Sequence, residues 1–185
     1  ALWGVVHSFL ASHFAKDMIP TKIGSMDVYR LGYNIFAVIS FAPILYLMRT
    51  LPDRMLYQIA SPWNILMFGG QLLAAVLLLV AVLQTDTLSF VGLRQLFEKE
   101  KSGTLVTRGL YRVVRHPLYT FGLLFIWLTP TVTQNTLTVY IGATIYTLVG
   151  AYFEEKKLLR DFKEAYAEYK RKTPMLIPGI KKKKK

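Results

Sequence analysis

One short polar run in the second half of the chain combines residue types that bind charged groups. Arg115, His116, Pro117 and Tyr119 stand together, and Gly122 follows one helical turn later. The arginine fork fits a carboxylate, and the tyrosine ring can stack on a base or face a cation. Because proline favours the first helical position and holds the residue before it extended, we expect a helix to begin at Pro117. The N–H groups at that helix start would suit an anion, and Gly122 would let a ligand or a neighbouring helix come close.

A pair of carboxylates forms a second polar group. Glu154 and Glu155 follow residues 116–153, which contain no Asp, Glu, Lys or Arg. Adjacent helical residues do not share a face, so we expect one of the two to point inward. A carboxylate at this place could hold an ammonium group or a pair of ribose hydroxyls. A ligand with a carboxylate, an ammonium, a ribose and a base would match both polar groups, and S-adenosylmethionine carries all four.

An ordinary structural interpretation competes with this one. Arg115 would anchor the cytoplasmic end of a membrane span, and His116 would be an interfacial histidine. The two glutamates would be solvated and paired with Lys157 or Lys163. On the residues alone, the ordinary interpretation is the favoured one.

The elements that position these groups are long apolar runs. The chain of 185 residues is 53% hydrophobic, with a mean hydropathy of +0.34. A spanning helix needs about 20 mostly apolar residues. The runs predict an all-α membrane protein of one domain with about five transmembrane helices, at about 1–15, 30–48, 62–84, 117–130 and 132–153. The organisation is three N-terminal spans (1–85), a cytoplasmic loop (86–116), a helical hairpin (117–153) that turns at 129–131, and a C-terminal helix with a basic tail (154–185).

The distribution of charge favours a membrane over a nucleic acid as the partner of this basic chain. The net charge is +12, and with five spans one side of the membrane receives 21 of the 23 lysines and arginines. Positive residues mark the cytoplasmic side. We therefore expect an integral membrane protein, in a prokaryotic inner membrane, whose polar groups and C-terminus face the cytoplasm. The Lys181–Lys185 run is expected to touch anionic headgroups.

A second amphipathic helix is predicted after Glu155. Its apolar stripe is Leu158, Leu159, Phe162, Tyr166 and Tyr169, and it ends at Thr173-Pro174. The helix could lie on the membrane surface, or it could form a lid over a cytoplasmic cavity. The chain has no cysteine, so neither a thiolate metal site nor a cysteine nucleophile is possible.

The run from Leu105 to Gly122 resembles the signature of the integral-membrane methyltransferases. That superfamily includes isoprenylcysteine carboxyl methyltransferase, phospholipid N-methyltransferases, methanethiol S-methyltransferases and NnrU-like proteins. Glu154-Glu155 with the following stripe resembles the second half of the same signature, so the resemblance covers about residues 103–179. Two positions depart from it: proline often stands where this chain has Leu110, and glycine where it has Lys163.

The resemblance implies a membrane methyltransferase that depends on S-adenosylmethionine. It implies a lipophilic or small acceptor, namely a prenylcysteine-like carboxylate, a lipid or a thiol, and no catalytic base is assigned. The cofactor-binding residues it implies are Leu105, Val106, Tyr111, Arg115, His116, Pro117, Tyr119, Gly122, Glu154 and Glu155. His7 is a candidate substrate contact, because a histidine within a membrane helix is often functional. The alternative is a non-catalytic membrane scaffold or transporter subunit that retains this fold.

Overall fold

The computed structural model of the chain describes residues 3, 4, 6, 10, 26–85 and 104–179. The predictions for His7, for most of the 86–116 loop and for the Lys181–Lys185 tail lie outside these residues. Contacts divide the chain into two compact units, one of residues 1–52 and 86–103 and the other of residues 53–85 and 104–185.

The described part of the first unit is dominated by one apolar helix. Helix α1 spans Met26–Thr50 and contains the span predicted at 30–48. Trp3 packs on it: the indole Nε1 donates to Ser40 Oγ at 2.9 Å, and the ring meets Phe41 edge-on at 5.2 Å. The polar end of the indole is thus satisfied within an apolar surface, as buried tryptophans require.

The second unit contains both polar groups. Its elements are β1 (Met55–Gln58), α2 (Trp63–Leu83), α3 (Leu110–Val113), α4 (Pro117–Trp127), β2 (Thr131–Thr133) and α5 (Gln134–Lys172). Helix α2 packs on α4 with one glycine from each helix at the interface. A Cβ at Gly70 would lie 2.8 Å from Leu128 Cδ1, and one at Gly122 would lie 3.7 Å from Leu78 Cδ1. Small residues at such an interface let two membrane helices approach closely.

The described chain is mostly helical, as predicted, and two short strands are the exception to the all-α prediction. Strands β1 and β2 form an antiparallel pair in which Met55 faces Thr133 and Gln58 faces Thr131. The predicted turn at 129–131 lies in the right region, but α4 ends earlier, at Trp127, and the chain enters β2 before α5 begins. Segments of three and four residues show no periodicity, so the sequence could not predict this pairing.

Three described helices are long and apolar enough to cross a membrane: Gly32–Thr50, Trp63–Leu83 and Gln134–Lys172. The Pro117–Trp127 helix is apolar but shorter. Their outward faces carry large apolar side chains such as Val38 and Leu72, exposed by 74% and 68%. Such faces belong in lipid, so the chain is a membrane protein. The predicted number of five spans stays a prediction, since the first segment lies largely outside the described residues.

The predicted helix after the glutamate pair ends at its C-cap, Thr173, as expected, but the break that separates it from the preceding helix lies at Lys163 and not at the glutamates. Helical geometry continues to Lys172 with one non-helical residue, Lys163, at φ 45° and ψ −123°. Residues 155 and 170 would be about 22 Å apart along a straight helix, yet Lys170 Nζ lies 2.7 Å from Glu155 Oε2. The backbone at Lys163 therefore folds the end of α5 back towards the glutamates.

Replacing Lys163 with glycine is expected to stabilise the chain by about 1 kcal/mol. A left-handed φ with this ψ costs a residue with a Cβ about 1–3 kcal/mol, and glycine would relieve that strain. The greater conformational entropy of glycine in the unfolded chain offsets part of this stabilisation. Unfolding in detergent would measure the difference. Lys163→Ala is the matched control, because it removes the same exposed charge but keeps the Cβ. An equal gain in both variants would contradict backbone strain as the cause.

Candidate functional site

A buried ion pair lies at the centre of the second unit. Arg115 Nε donates to Glu155 Oε1 at 2.7 Å, and the same oxygen lies 2.5 Å from the arginine's second terminal nitrogen. The two side chains are only 8% and 7% exposed. Lys170 supplies a second positive charge to the other carboxylate oxygen. The inward glutamate of the pair is thus Glu155, and both of its oxygens are already bonded to cations.

The second glutamate lies at the edge of this cluster. The Glu154 side chain is 44% exposed, and its Oε2 accepts a hydrogen bond from Tyr119 Oη at 2.8 Å. His116 lies between the two carboxylates, with Nδ1 3.5 Å from Glu154 Oε2 and Nε2 3.4 Å from Glu155 Oε1. Its ring stacks on Tyr119 at 5.3 Å with an interplanar angle of 7°. The start of α4 and the middle of α5 therefore converge, as the sequence predicted.

His116 carries a buried nitrogen without a hydrogen bond. The residue is 6% exposed, and its Nε2 has no hydrogen-bond partner among the residues that the structure describes. The contact from Nε2 to Glu155 is an electrostatic approach rather than an aligned hydrogen bond. Tyr166, which is 1% exposed, likewise has an Oη without a partner in the described part of the chain. Orphaned buried polar atoms of this kind call for a partner such as a ligand.

The C-terminal segment, residues 173–176, lies across the start of α4. The Arg115 and His116 amides donate to the Pro174 and Met175 carbonyl oxygens at 2.9 and 3.2 Å. Thr120 Oγ1 donates to the Leu176 carbonyl at 2.8 Å. The two amides just before α4 are therefore already occupied. The Arg115 guanidinium also donates to the carbonyls of Lys170 and Thr173.

The loop before the motif is fixed by a long-range cap. Gly109 has a φ of 60°, and the next N–H, that of Leu110, donates to Gln84 Oε1 at 2.8 Å. Tyr111 follows in α3, where its carbonyl accepts a hydrogen bond from Tyr169 Oη at 2.5 Å. Leu105 and Val106 are half-buried in the extended stretch that leads to Gly109.

The remaining predicted residues take structural positions in α4. Pro117 is buried at the first helical position, and His116 before it is outside helical geometry at φ −123°, both as predicted. Gly122 faces Leu78 of α2, so the close approach that its missing side chain allows is that of a neighbouring helix.

Three residues of this cluster were not predicted as part of the site: Lys170, Tyr166 and Tyr169. The two tyrosines belong to the predicted apolar stripe, and they are 1% and 9% exposed. No sequence signal pointed to Lys170, because its contact with Glu155 depends on the reversal at Lys163.

The electrostatics of the cluster favour a charged His116. Burial lowers the pKa of His116, but the attraction of the Glu154 and Glu155 carboxylates, 3.5 and 3.4 Å from the ring nitrogens, outweighs it, so the pKa lies above its ordinary value of 6.5. The two carboxylates thus favour the protonated imidazole, and that form cannot accept a proton.

Stability should therefore depend on pH through His116. A pKa raised in the folded chain contributes stability in full below the ordinary value, and that contribution is lost as pH rises through the raised pKa. We expect the difference in unfolding free energy between the wild type and His116→Asn to be largest below about pH 6.5 and to shrink as the pH rises through the raised pKa of His116. Lys172→Ala, which removes an exposed lysine, should keep the wild-type pH dependence. A pH-independent difference for His116→Asn would contradict the assignment.

Comparison with known proteins places this chain in a family. The profile of the family described as phospholipid methyltransferase matches residues 65–165, more than half of the chain. The chain belongs to the integral-membrane methyltransferase superfamily. The matched region begins in α2 and ends beyond the glutamate pair, so it contains α4, both glutamates and the reversal at Lys163.

Individual relatives agree with this membership. Methanethiol S-methyltransferase 2 of Bradyrhizobium diazoefficiens is 34% identical over 97% of this chain and 71% of the relative. Methanethiol S-methyltransferase of Pseudomonas deceptionensis is 29% identical over 98% of this chain and 71% of the relative. Protein-S-isoprenylcysteine O-methyltransferase of Schizosaccharomyces pombe is 34% identical over 45% of this chain and 36% of the relative. No solved structure matches the chain.

Proposed function

We propose that this chain is a membrane methyltransferase that uses S-adenosylmethionine and binds it at the cluster of His116, Tyr119, Glu154 and Glu155. The observation that carries the proposal is the convergence of α4 and α5 at these residues, in a chain whose superfamily consists of methyltransferases. We further propose that the ten residues implied by the resemblance line or shape the donor site. His7 remains a proposed substrate contact.

The chemistry of the cluster fits this methyl donor. The donor has an ammonium group and a positively charged sulfur, and Glu154 offers a carboxylate that is 44% exposed beside the Tyr119 ring. Carboxylates and aromatic faces both attract such cations. The unbonded His116 Nε2 can serve a polar group of the same molecule. Arg115 is less available to the donor's carboxylate, since its guanidinium is already bonded to Glu155 and two carbonyls.

When bound, the donor supplies a methyl group on a sulfonium that is ready for displacement. The chain's own residues need only bind it, orient it towards the acceptor and exclude water. Positioning of two reactants can lower a barrier by several kcal/mol, so no covalent intermediate is required. The raised pKa of His116 argues against its acting as a general base. We assign no base, and an acceptor that is a good nucleophile once ionised suits this site best.

A small thiol is the acceptor that we propose. Two relatives that cover nearly all of this chain are named for methanethiol, and one that covers less than half is named for isoprenylcysteine. A thiol loses its proton at a lower pH than an ammonium group does, so it needs less help from the protein than an amine acceptor would. Prenylated cysteine carboxylates and phospholipids are the competing acceptors.

We also propose that the cluster faces the cytoplasm of a prokaryotic cell. The support is the asymmetry of lysine and arginine: with five spans, 21 of the 23 lie on the side of the cluster and the C-terminus. On this arrangement the Lys181–Lys185 run meets anionic headgroups at the inner leaflet.

Titration and turnover of the purified protein test the proposed function. S-adenosylhomocysteine should bind the detergent-solubilised wild type with a dissociation constant well below about 1 mM, an affinity of more than about 4 kcal/mol. Radiolabel from the donor should pass to methanethiol in preference to a prenylated cysteine or a phospholipid. Absence of binding at millimolar ligand would contradict the enzyme and favour a non-catalytic membrane protein. Binding with transfer to another acceptor would contradict only the choice of a thiol.

A further inference from the structure

We propose that Lys170 is a positioning residue, which fixes Glu155 and Arg115 so that residues 173–176 stay docked across α4 and Glu154 is the carboxylate that meets the methyl donor. This inference rests on the proposed function and divides the glutamate pair between two tasks. It adds to the site a residue that lies outside both polar motifs.

Lys170 contributes two groups to the buried ion pair. Its Nζ lies 2.7 Å from Glu155 Oε2, and its backbone carbonyl accepts a hydrogen bond from the Arg115 guanidinium at 3.1 Å. Glu155 therefore has one cation on each oxygen. Two cations around one buried carboxylate leave little room for the ammonium group of a ligand. Glu155 is better suited to hold protein segments together.

The same arginine connects this ion pair to the C-terminal segment. Its guanidinium donates to the Thr173 carbonyl, and its amide donates to Pro174. The next amide, that of His116, donates to Met175. Residues 173–176 therefore depend on the orientation of Arg115, which Glu155 sets. If the Lys170 charge is lost, the buried Glu155 carboxylate keeps only one of its two cations. A buried charge that is only partly neutralised destabilises the folded chain.

Glu154 lies in a different environment. It is 44% exposed, compared with 7% for Glu155, and among the described residues it accepts a hydrogen bond from the Tyr119 hydroxyl and lies 3.5 Å from the His116 ring. One oxygen receives the tyrosine hydrogen bond, and the exposed side chain can approach a cation from outside. The His116 ring is held between the carboxylates and stacks on one face of the Tyr119 ring. A cation beside Glu154 would therefore meet the other face of that tyrosine.

Hydrogen exchange at the Arg115 and His116 amides, combined with S-adenosylhomocysteine titration, separates the two tasks. In the full chain in detergent, Lys170→Ala should accelerate exchange at both amides at least tenfold, because they donate to the docked segment. Lys170→Arg keeps the charge and should restore exchange to within twofold of the wild type. Lys172→Ala is the matched control: this lysine is 72% exposed and pairs with Glu168, and its loss should leave exchange unchanged. Glu154→Gln should weaken S-adenosylhomocysteine binding at least tenfold with exchange unchanged.

The outcomes are distinguishable. Wild-type exchange rates in Lys170→Ala, or failure of Lys170→Arg to restore them, would overturn the positioning role. Wild-type ligand affinity in Glu154→Gln would overturn the division between the glutamates. A wild type that binds no S-adenosylhomocysteine would overturn the proposed function and the donor contact of Glu154, while the exchange rates would still decide whether Lys170 anchors the segment.

Discussion

Replacement of Arg115 by alanine should lower the free energy of unfolding by about 3–5 kcal/mol, the cost of breaking a buried ion pair by removing one partner. The arginine and Glu155 are 8% and 7% exposed, so water cannot replace the lost charge effectively. The same substitution removes the hydrogen bonds to the carbonyls of Lys170 and Thr173. Chemical unfolding in detergent measures the loss.

Two comparisons make this prediction specific. Arg171→Ala removes another arginine of the same unit, but its pair with Glu164 is 67% and 79% exposed, so the expected change is within about 0.5 kcal/mol. Replacing both Arg115 and Glu155 with methionine should recover part of the loss, because neither charge of this pair then stays buried without the other, although Lys170 loses its partner. A cost for Arg115→Ala no greater than that for Arg171→Ala would contradict the buried pair.

Replacement of Gly109 by alanine should cost about 2–4 kcal/mol. Its φ of 60° with a ψ of −130° disfavours any residue with a Cβ, at about 1–3 kcal/mol. The new Cβ would also lie 2.4 Å from Gln84 Oε1, the atom that accepts from the Leu110 amide. The glutamine would have to move and give up that bond, which adds about 1 kcal/mol. Unfolding in detergent gives the total.

A glycine with different surroundings provides the control for this substitution. Gly142 lies within helix α5, and a Cβ there would have no neighbour within 4 Å. Alanine at that position should stabilise the helix by up to about 1 kcal/mol, because alanine is the better helix former. If Gly109→Ala raised the free energy of unfolding as Gly142→Ala is expected to do, the positive φ and the Gln84 cap would not constrain this loop.

The start of α4 illustrates what sequence can predict. Pro117 fixes its own backbone and restricts that of His116. As expected, Pro117 begins the helix and His116 lies outside helical geometry. The apolar runs placed α1 and α2 within a few residues of their observed bounds, because length and composition decide a membrane helix. The apolar stripe predicted after Glu155 includes Tyr166 and Tyr169, and both are buried.

The partners of the motif residues were harder to predict. Arg115 was expected to offer its fork to a ligand, but the fork is bonded to Glu155 and to carbonyls far along the chain. Such contacts depend on the reversal at Lys163, where a lysine adopts a φ that glycine favours. The one available signal was the resemblance, in which glycine is frequent at that position.

The other departure from the resemblance also has a structural counterpart. Proline is frequent where this chain has Leu110, and proline has no N–H to donate. Here the Leu110 amide donates to the Gln84 carboxamide, which lies just beyond the end of α2. The glutamine thus satisfies a donor that proline would have eliminated. A pairing between residues 26 positions apart leaves no mark in local sequence.

Ultraviolet photolabelling with radioactive S-adenosylmethionine, followed by peptide mapping, tests most directly whether two distant polar groups hold one donor. The label should appear in peptides that contain residues 115–122 and in those that contain Glu154 and Glu155, and excess S-adenosylhomocysteine should abolish it. Label confined to other parts of the chain, such as residues 32–50, would contradict a donor site at the junction of α4 and α5.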